Sequence, residues 1–569
     1  MARIARTGKA CGPRAPWGTL NRRPMRLRQC PAIIATVLTA SRVVAGGPAD
    51  VKSEEIRRHV TFLGDDARGG RAVGTAGIEQ AARYLVAELA GAGLPPLPAA
   101  PAFLQAVPLH ASRPAPHAEV LLVSDCGSGP LRVGDECLIE AGGEESLIPQ
   151  PADVVFAGYG IVAPELDYND YQDLDVAGKV VAVLLGEPAS VDPSYFAGEH
   201  PTVHSSAAVK QRVAMSRGAR GTLLLPSALD PSWKDWPYWQ RQFAFDHVSL
   251  AYSVPGHLTA WLSPEAAARL FCGAPSGIDE VHAMERRHQV HGFPLATRIR
   301  FRGEFVERDF VSSNVAAWIQ GSDPQLRDTY VLVSAHYDHL GLGPPVRGDA
   351  IYNGVVDNAL GVAGVLEIAR SVAALPLPPR RSIVFLLTTG EEEGLLGASY
   401  YVDHPLVPLS QTVANVNVDG LACLGPFRDV IGIGGELSSL NEVLERGARR
   451  RGLASSSVPA VLASLDAYAA SDQAAFAEGG IPALLVSEGF AHSPAGPEKA
   501  LARFLAWGQA HYHQPSDDLQ QPLDFEASRE HVALLRDLVL DLANDPAAPT
   551  WKAGSRFALA RLRSQAEGR

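Results

Sequence analysis

The chain has 569 residues, more than one ordinary domain needs and enough for two or three. Hydrophobic residues make up 46% and charged residues 20%, the balance of a globular protein. The formal net charge of −12 argues against a nucleic-acid partner, because phosphate binding needs clustered Lys and Arg. No long apolar run follows the N-terminus, so we expect no membrane span in the mature chain.

The first 46 residues differ in kind from the rest. An Arg- and Pro-rich stretch of 30 residues precedes an apolar run from Pro31 to Ala40, and small residues follow as far as Ala45. Basic, apolar and small segments in this order are typical of an export signal. We therefore expect a periplasmic or secreted protein, with Met25 as an alternative start. A disordered basic tail is the competing interpretation.

Three patterns follow along the chain. Residues 47–112 carry helical periodicity, which predicts the first part of the main domain. Residues 113–295 alternate short β-like runs with Gly and Pro turns, which predicts an inserted, mostly β domain. Residues 296–550 alternate strands and helices, typical of an α/β fold with a mixed, mostly parallel sheet sandwiched by helices. Residues 551–569 are the predicted tail.

Two features of the predicted insert leave alternatives open. The segment SWKDWPYWQRQFAFD contains Trp233, Trp236 and Trp239. It is either a loop over a cleft or, more in keeping with buried aromatics, a local hydrophobic plug. Cys126 and Cys137 are near enough in sequence to form a disulfide in an oxidising compartment. No cysteine pair has the spacing of a zinc site.

Several potential metal ligands follow predicted strands, where the loops of such a sheet converge. They are His336 and Asp338 after VLVSA, Glu391 and Glu392 after SIVFLLTTG, Asp419 after VANVNV, Asp357 before a long helix, and His513 near the chain end. Each alone has an ordinary explanation, such as a helix cap for Asp357 or a solvated face for consecutive glutamates. Three acids at the end of one buried strand, however, repel unless a cation or solvent meets them.

The segments SAHYDHLG, IYNGVVDNALGVAGVLEIAR, FLLTTGEEEGLLGASYYV, NVNVDG, SDQAAFAEGGIPALL and YHQPSDD occur in this order. Together they resemble the co-catalytic zinc aminopeptidase family, which also includes glutamate carboxypeptidases. The segment VVFAGYGIVAPELDYNDYQDLDVAGKVVAVL resembles the protease-associated domain inserted in some members. The resemblance covers nearly the whole mature chain and implies a zinc exopeptidase fold with that inserted domain.

By position, the resemblance implies two zinc ions bridged by Asp357. It assigns His336 and Asp419 to one ion, and Glu392 and His513 to the other. These are ligand types that zinc accepts in catalytic sites. A bridged pair of ions lowers the pKa of water and stabilises charge on the attacking and leaving groups.

The resemblance also implies roles for two residues that do not bind metal. Glu391 is the expected general base, and Asp338 is expected to accept a hydrogen bond from the second ring nitrogen of His336. Leu360 departs from the small Ser or Thr that is usual at its position, which bears on local packing. His339 and His511 are expected beside the site or on the surface.

For other residues near the candidate ligands, the sequence leaves the role open. Tyr512 is equally plausible as a packed aromatic or as a hydrogen-bond donor to the tetrahedral intermediate. Tyr352 and Asn353 are candidates for shaping the pocket. Asp517 and Asp518 are expected to be turn or cap residues.

The function implied by the resemblance is that of an aminopeptidase acting on short peptides. A carboxypeptidase releasing an acidic residue is the enzyme alternative, and it requires cationic side chains over the pocket. Glutaminyl cyclases share the fold but usually lack the insert. A non-catalytic, receptor-like binding protein is the alternative outside the enzymes, although such relatives lack part of the ligand set.

Overall fold

The computed structural model describes residues 49–140, 146–192, 195–196, 198, 202–230, 235–253, 257–464 and 467–568. The predicted export signal, with its alternative start at Met25, lies outside the described residues. Trp233 of the tryptophan-rich segment also lies outside them.

In the part of the chain that the structure describes, the strands form two large sheets and two short hairpins. They are β1 (Leu104–Pro114), β2 (Glu119–Val123), β3 (Gly129–Leu131), β4 (Cys137–Glu140), β5 (Ile148–Phe156), β6 (Val162–Ala163), β7 (Tyr168–Asn169), β8 (Val180–Leu184), β9 (Gly221–Leu225), β10 (His247–Leu250), β11 (Leu258–Leu262), β12 (Phe293–Arg302), β13 (Phe305–Ile319), β14 (Tyr330–His336), β15 (Gly341–Val346), β16 (Asp349–Tyr352), β17 (Ser382–Thr388), β18 (Thr412–Asn417), β19 (Asp429–Ile433), β20 (Ala454–Ser456) and β21 (Ala483–Glu488).

The helices are spread along the described part of the chain. They are α1 (Ser53–Leu63), α2 (Ala76–Gly91), α3 (Ala207–Ser216), α4 (Trp236–Gln242), α5 (Pro264–Leu270), α6 (Ile278–Arg286), α7 (Leu360–Ala373), α8 (Leu396–Asp403), α9 (Leu440–Arg450), α10 (Ala460–Ser464), α11 (Gln473–Glu478), α12 (Pro497–His511), α13 (Phe525–Asn544) and α14 (Ala558–Glu567). Within the described ranges, no helix combines the length and apolar character needed to cross a bilayer.

The larger sheet has nine strands in the order β10-β1-β13-β17-β14-β18-β21-β19-β20. Its centre is parallel: β14 pairs with β17 on one side and with β18 on the other. β13 is antiparallel to β17, and β19 is antiparallel to β21. The predicted mixed α/β sheet is confirmed. Every residue of β17 is buried, because both faces of this strand are covered by helices.

Two apolar cores cover the two faces of this sheet. On one face, α7 packs with α1 and α13, and twelve residues of α7 are buried. On the other face, α8 and α11 pack against strand residues such as Leu332 and Val384. The helices therefore hold β14, β17 and β18 side by side, which aligns the loops at their carboxyl ends.

The smaller sheet has eight strands, β3-β2-β12-β5-β8-β9-β11-β4, and cores of its own. It is built from residues inside or next to the predicted insert range 113–295, although β12 runs on to Arg302. The disulfide in this region joins Cys126 to Cys272, 146 positions apart. The sequence left the pairing open, and the Cys126–Cys137 disulfide that spacing allows does not form: Cys137 is a free, buried thiol at the start of β4.

Residues 235–253, which we call the strap, connect the two sheets. The strap begins with α4 beside the smaller sheet and continues into β10. β10 is the edge strand of the larger sheet and pairs with β1, with Leu250 opposite Leu109. Part of the predicted insert therefore belongs to the larger sheet.

Candidate metal centre

Three neighbouring strands bring acidic and imidazole side chains to one edge of the larger sheet. His336 is the last residue of β14, Glu391 lies three positions after the end of β17, and Asp419 lies two positions after the end of β18. Because β17, β14 and β18 run parallel and adjacent, their carboxyl ends meet. This is the edge at which the sequence places its candidate ligands.

His336 and Asp357 form one half of the centre together with Asp419. His336 Nε2 lies 3.2 Å from Asp357 Oδ1 and 3.3 Å from Asp419 Oδ1. Oxygen and nitrogen atoms of these three side chains all lie within 4.8 Å of one another. One imidazole nitrogen and two carboxylate oxygens at this spacing form a donor set that a divalent cation such as zinc accepts.

The other half uses the second oxygen of Asp357. His513 Nε2 lies 3.4 Å from Asp357 Oδ2 and 3.0 Å from Glu392 Oε2. Each oxygen of Asp357 thus faces a different histidine. This is the arrangement that a carboxylate bridging two ions requires.

His339 reaches this second half as well, although the sequence places it only beside the site. Its Nδ1 forms a short hydrogen bond with Glu392 Oε1. His339, Asp357 and Glu392 form a further group with metal-binding spacing. The HYDHLG segment contains this histidine, but one sequence cannot show which of its two imidazoles lies nearer to Glu392. His511, by contrast, contacts Ser516 within its own loop.

Asp338 does not make the predicted hydrogen bond to His336. Its Oδ1 lies 3.9 Å from His336 Nδ1, which is beyond hydrogen-bond distance. Its two oxygens instead accept hydrogen bonds from the backbone N–H groups of Glu391 and Glu392. Asp338 therefore holds the glutamate loop in place.

Burial raises the pKa of some acids in and around the centre, whereas in Asp357 and Glu392 the neighbouring histidines outweigh burial and the pKa is lowered. Burial raises the pKa of Glu391 well above its usual value, and the negative charges of Asp419 and Glu392 add to that rise while His336 opposes it. Asp472, which accepts a hydrogen bond from Thr388, has its pKa raised to about 7, chiefly by burial. The centre thus holds more carboxylates than its own histidines neutralise.

The pKa values of the histidines are also raised, although burial alone would lower them. Burial lowers the pKa of His336, but the neighbouring acids, Glu391 and Asp419 foremost, outweigh it and raise the pKa well above the usual value. His513 follows the same pattern, with Glu392 and Asp357 as the acids. The protein surroundings therefore favour positive charge at this point.

Three buried ring nitrogens in the centre have no hydrogen-bond partner among the described residues. They are His336 Nδ1, His339 Nε2 and His513 Nδ1. Buried polar atoms are normally paired, so unpaired imidazole nitrogens among carboxylates fit a site that takes up cations. The side chains present are therefore suited to bind metal.

Arg71 holds the loops that carry the proposed ligands, a role that the sequence alone does not indicate. It is fully buried, and its guanidinium donates to the carbonyls of Tyr337, Leu63, Asn353 and Gly354 at 2.6–2.9 Å. Burial lowers its pKa to about 10, while nearby acids oppose that shift. Arg71 thus ties the loop after His336 to the loop before Asp357.

Known proteins match parts of this chain. Residues 314–539 match Peptidase family M28. A vacuolar membrane protease of Aspergillus clavatus is 34% identical over 131 residues, 21% of this chain and 12% of that protein. A probable zinc metalloprotease of Pyrenophora teres f. teres is 40% identical over 108 residues, 19% of this chain and 20% of that protein. This chain therefore matches only a fifth or less of the length of these relatives.

The fold is also found in a solved aminopeptidase from Aneurinibacillus sp. strain AM-1. The TM-score is 0.53 at 17% identity, over 88% of this chain and 95% of that one. The predicted resemblance to a peptidase family is confirmed by the family match, and the predicted fold by this solved structure. The protease-associated identity of the smaller sheet stays a prediction.

The predicted export to the periplasm or the exterior is contradicted by the relatives. Those from Aspergillus clavatus, Lachancea thermotolerans and Penicillium rubens are named vacuolar membrane proteases, which places those proteins at a vacuolar membrane. The basic, apolar and small-residue pattern behind the expectation is short and weakly specific.

Proposed function

We propose that the protein is a zinc-dependent aminopeptidase that removes N-terminal residues from peptides, on the basis of the match of residues 314–539 to Peptidase family M28. One observation carries the proposal. The two oxygens of Asp357 face His336 and His513 at 3.2 and 3.4 Å, so a single carboxylate stands between two imidazole–carboxylate groups.

We propose the same metal ligands that the family resemblance implies. His336, Asp357 and Asp419 would hold one zinc ion, and Asp357, Glu392 and His513 the other. When bound, the zinc ions supply Lewis-acid polarisation of the scissile carbonyl and lower the pKa of water. His339 shares Glu392 with His513 and is a candidate to orient that carboxylate.

Glu391 is the proposed general base. Its backbone N–H is fixed by Asp338, its Oε2 lies 4.0 Å from His336 Nε2, and its side chain is buried beside the ligands. From this position it accepts a proton from the attacking water and returns it to the leaving amine. Asp338 acts on the reaction only by holding Glu391 and Glu392.

Tyr512 is a proposed hydrogen-bond donor to the developing oxyanion. Its ring stacks on that of His513, with the centroids 3.9 Å apart, and 44% of the residue is exposed to solvent. An exposed phenol fixed against a ligand histidine can reach a substrate oxygen in the cleft.

A substrate panel tests the proposal. The purified protein is assayed with aminoacyl p-nitroanilides, N-acetylated peptides and acyl-glutamates, before and after chelation and after zinc is restored. We expect turnover of substrates with a free amine, its loss on chelation and its return with zinc. Turnover of acyl-glutamates alone would establish the carboxypeptidase alternative. Absence of turnover with zinc bound would establish the receptor-like alternative.

Metal analysis tests the proposed count of two ions. We expect close to two zinc ions per chain, falling to about one when Asp357, the shared ligand, is replaced by Asn. A wild-type protein that saturates at one ion would refute the bridged pair while leaving zinc dependence intact.

A further inference from the structure

A cavity of about 230 Å³ lies between the strap and the metal centre. The proposed ligand Glu392 forms part of its wall, so the cavity borders the centre directly. Four carboxylates line it, those of Glu140, Asp246, Glu392 and Glu393. A wall of this composition repels anionic groups and attracts a cation.

Two of the four carboxylates already have a counter-charge. Asp246 lies 3.2 Å from Arg308 and 3.7 Å from Arg113, which also lines the cavity. Glu392 lies 3.0 Å from His513 Nε2 and is a proposed zinc ligand. Neither carboxylate therefore needs a further cation from the cavity.

Glu140 and Glu393 have no such counter-charge. Glu140 is the last residue of β4 in the smaller sheet, and its Oε1 accepts a hydrogen bond from Trp261 Nε1 at 3.0 Å. Glu393 follows β17 of the larger sheet, and its Oε2 accepts one from the Val248 N–H at 3.2 Å. Across the described ranges, neither carboxylate forms an ion pair with a Lys, Arg or His side chain. Each sheet thus contributes one uncompensated acid to the same cavity.

A cation in the cavity would offset the cost of burying these acids. Burial raises the pKa of Glu140 because water is excluded from its carboxyl group. A cation close to both carboxyl groups favours their charged form. The lining imidazole of His247 does not supply it, because burial lowers the pKa of His247 below 6.5 and leaves the ring neutral at pH 7. The missing charge must come from a ligand.

The rest of the wall suits a long side chain with a charged end. Ile139, Leu340 and Phe245 give it an apolar part, and the Phe245 ring is held edge-on against Tyr352 with the centroids 5.2 Å apart. Lys and Arg side chains carry an apolar stem below the charge, which packs on such surfaces. Gln242 Nε2 is buried and has no hydrogen-bond partner among the described residues, so turning the amide oxygen towards a bound cation breaks no hydrogen bond at that nitrogen.

We propose that this cavity binds a Lys or Arg side chain of the substrate next to the scissile bond. Peptides with a basic first or second residue are then the preferred substrates, and Glu140 and Glu393 determine that preference. The inference rests on the proposed aminopeptidase function, because it assigns the cavity to the substrate that the metal centre hydrolyses.

Paired substrates test the charge alone. Kinetics are measured with Lys-Ala-Ala and Ala-Lys-Ala, and with the same tripeptides in which norleucine replaces Lys and so removes the ammonium group. We expect wild-type kcat/KM to be about 10- to 100-fold higher for Lys than for norleucine at one of the two positions, the range of one charged hydrogen-bond pair. The position that shows the preference identifies the side of the scissile bond that the cavity serves.

Variants assign the preference to the two acids. Glu393→Gln and Glu140→Gln should each reduce the ratio of Lys to norleucine turnover while the norleucine peptides are still hydrolysed. Glu136→Gln is the matched control. It removes a carboxylate one residue before β4 that pairs with Arg269 at 3.2 Å and does not line the cavity. The control should keep the wild-type ratio.

The outcomes separate the inference from the proposed function. Equal turnover of Lys and norleucine peptides by the wild type, or a ratio that persists in both Glu393→Gln and Glu140→Gln, would overturn the inference and leave the proposed function standing. If the zinc-loaded wild type hydrolyses none of the four peptides, the proposed function falls and the inference falls with it.

Discussion

The Asp517 carboxylate fixes the backbone of Asp357. Asp517 Oδ2 accepts a hydrogen bond from the Asp357 N–H at 3.0 Å, and both of its oxygens accept from the Val356 N–H at 2.9 and 3.1 Å. Asp517 lies four positions after His513, so one turn supplies a proposed ligand and also orients the proposed bridging residue. The sequence indicates only a turn or cap at this position, whereas the contact spans 160 residues.

The first prediction concerns this contact. Asp517→Asn keeps the size of the side chain but turns an N–H₂ group towards backbone donors, so Asp357 should lose its fixed orientation. We expect zinc affinity to fall by about 10- to 100-fold, the usual effect of losing a group that orients a ligand. Competition with a calibrated chelator measures the change. Asp518→Asn is the control, because that carboxylate caps only Gln520 nearby. Unchanged zinc affinity in Asp517→Asn would contradict this role.

The second prediction separates the two adjacent glutamates. Glu391→Gln removes the proposed base but no proposed ligand, so kcat should fall by about 10²- to 10⁴-fold while zinc content stays at the wild-type level. Glu392→Gln removes a proposed ligand, so zinc content itself should fall. Metal analysis is run on the same samples as the kinetics. If Glu391→Gln keeps most of its turnover, another group must accept the proton.

The third prediction concerns Arg71. Arg71→Met leaves four buried carbonyls without their donor, and we expect the free energy of unfolding to fall by at least about 3 kcal/mol. Arg71→Lys keeps the charge but reaches fewer carbonyls, so its loss should be smaller. Urea unfolding measures both. Arg83→Met is the control, since the Arg83 side chain is 68% exposed in its ion pair with Glu79. Equal unfolding midpoints for Arg71→Met and the control would refute the supporting role.

The central sheet is predictable from the sequence for a simple reason. Strands buried on both faces, such as SIVFLLT, form continuous apolar runs, and the polar residues that follow them lie at the same sheet edge. His336, Glu391 and Asp419 are found in this way. The helix after Asp357 is equally clear, because α7 is mostly apolar and twelve of its residues are buried.

Contacts between distant segments are not predictable in this way. Arg71 donates to a carbonyl 266 positions later, and Cys126 pairs with Cys272 rather than with its near neighbour Cys137. β10 resembles any other short strand of the insert, yet it joins the larger sheet through β1. In each case the partner is determined by how the two sheets pack, which local periodicity does not encode.

The last prediction concerns acid stability and rests on His531 in α13. This histidine is fully buried, its Nδ1 accepts a hydrogen bond from the Ala422 N–H at 3.0 Å, and burial lowers its pKa from 6.5 to about 4. Between these pH values the unfolded chain binds the proton and the folded chain does not. Stability must therefore fall as pH falls from 6.5 to 4, by about 3 kcal/mol from this group.

Urea unfolding of chelator-treated protein across pH 4 to 7 (roughly the window of this titration) isolates the effect from metal release. The pH slope should be about one proton smaller in His531→Gln than in wild type. His117→Gln should keep the wild-type slope, because His117 is mostly exposed. An unchanged slope in His531→Gln would mean that the folded protein accommodates the charged imidazole. That result would contradict the prediction that burial and the hydrogen bond from Ala422 keep His531 neutral.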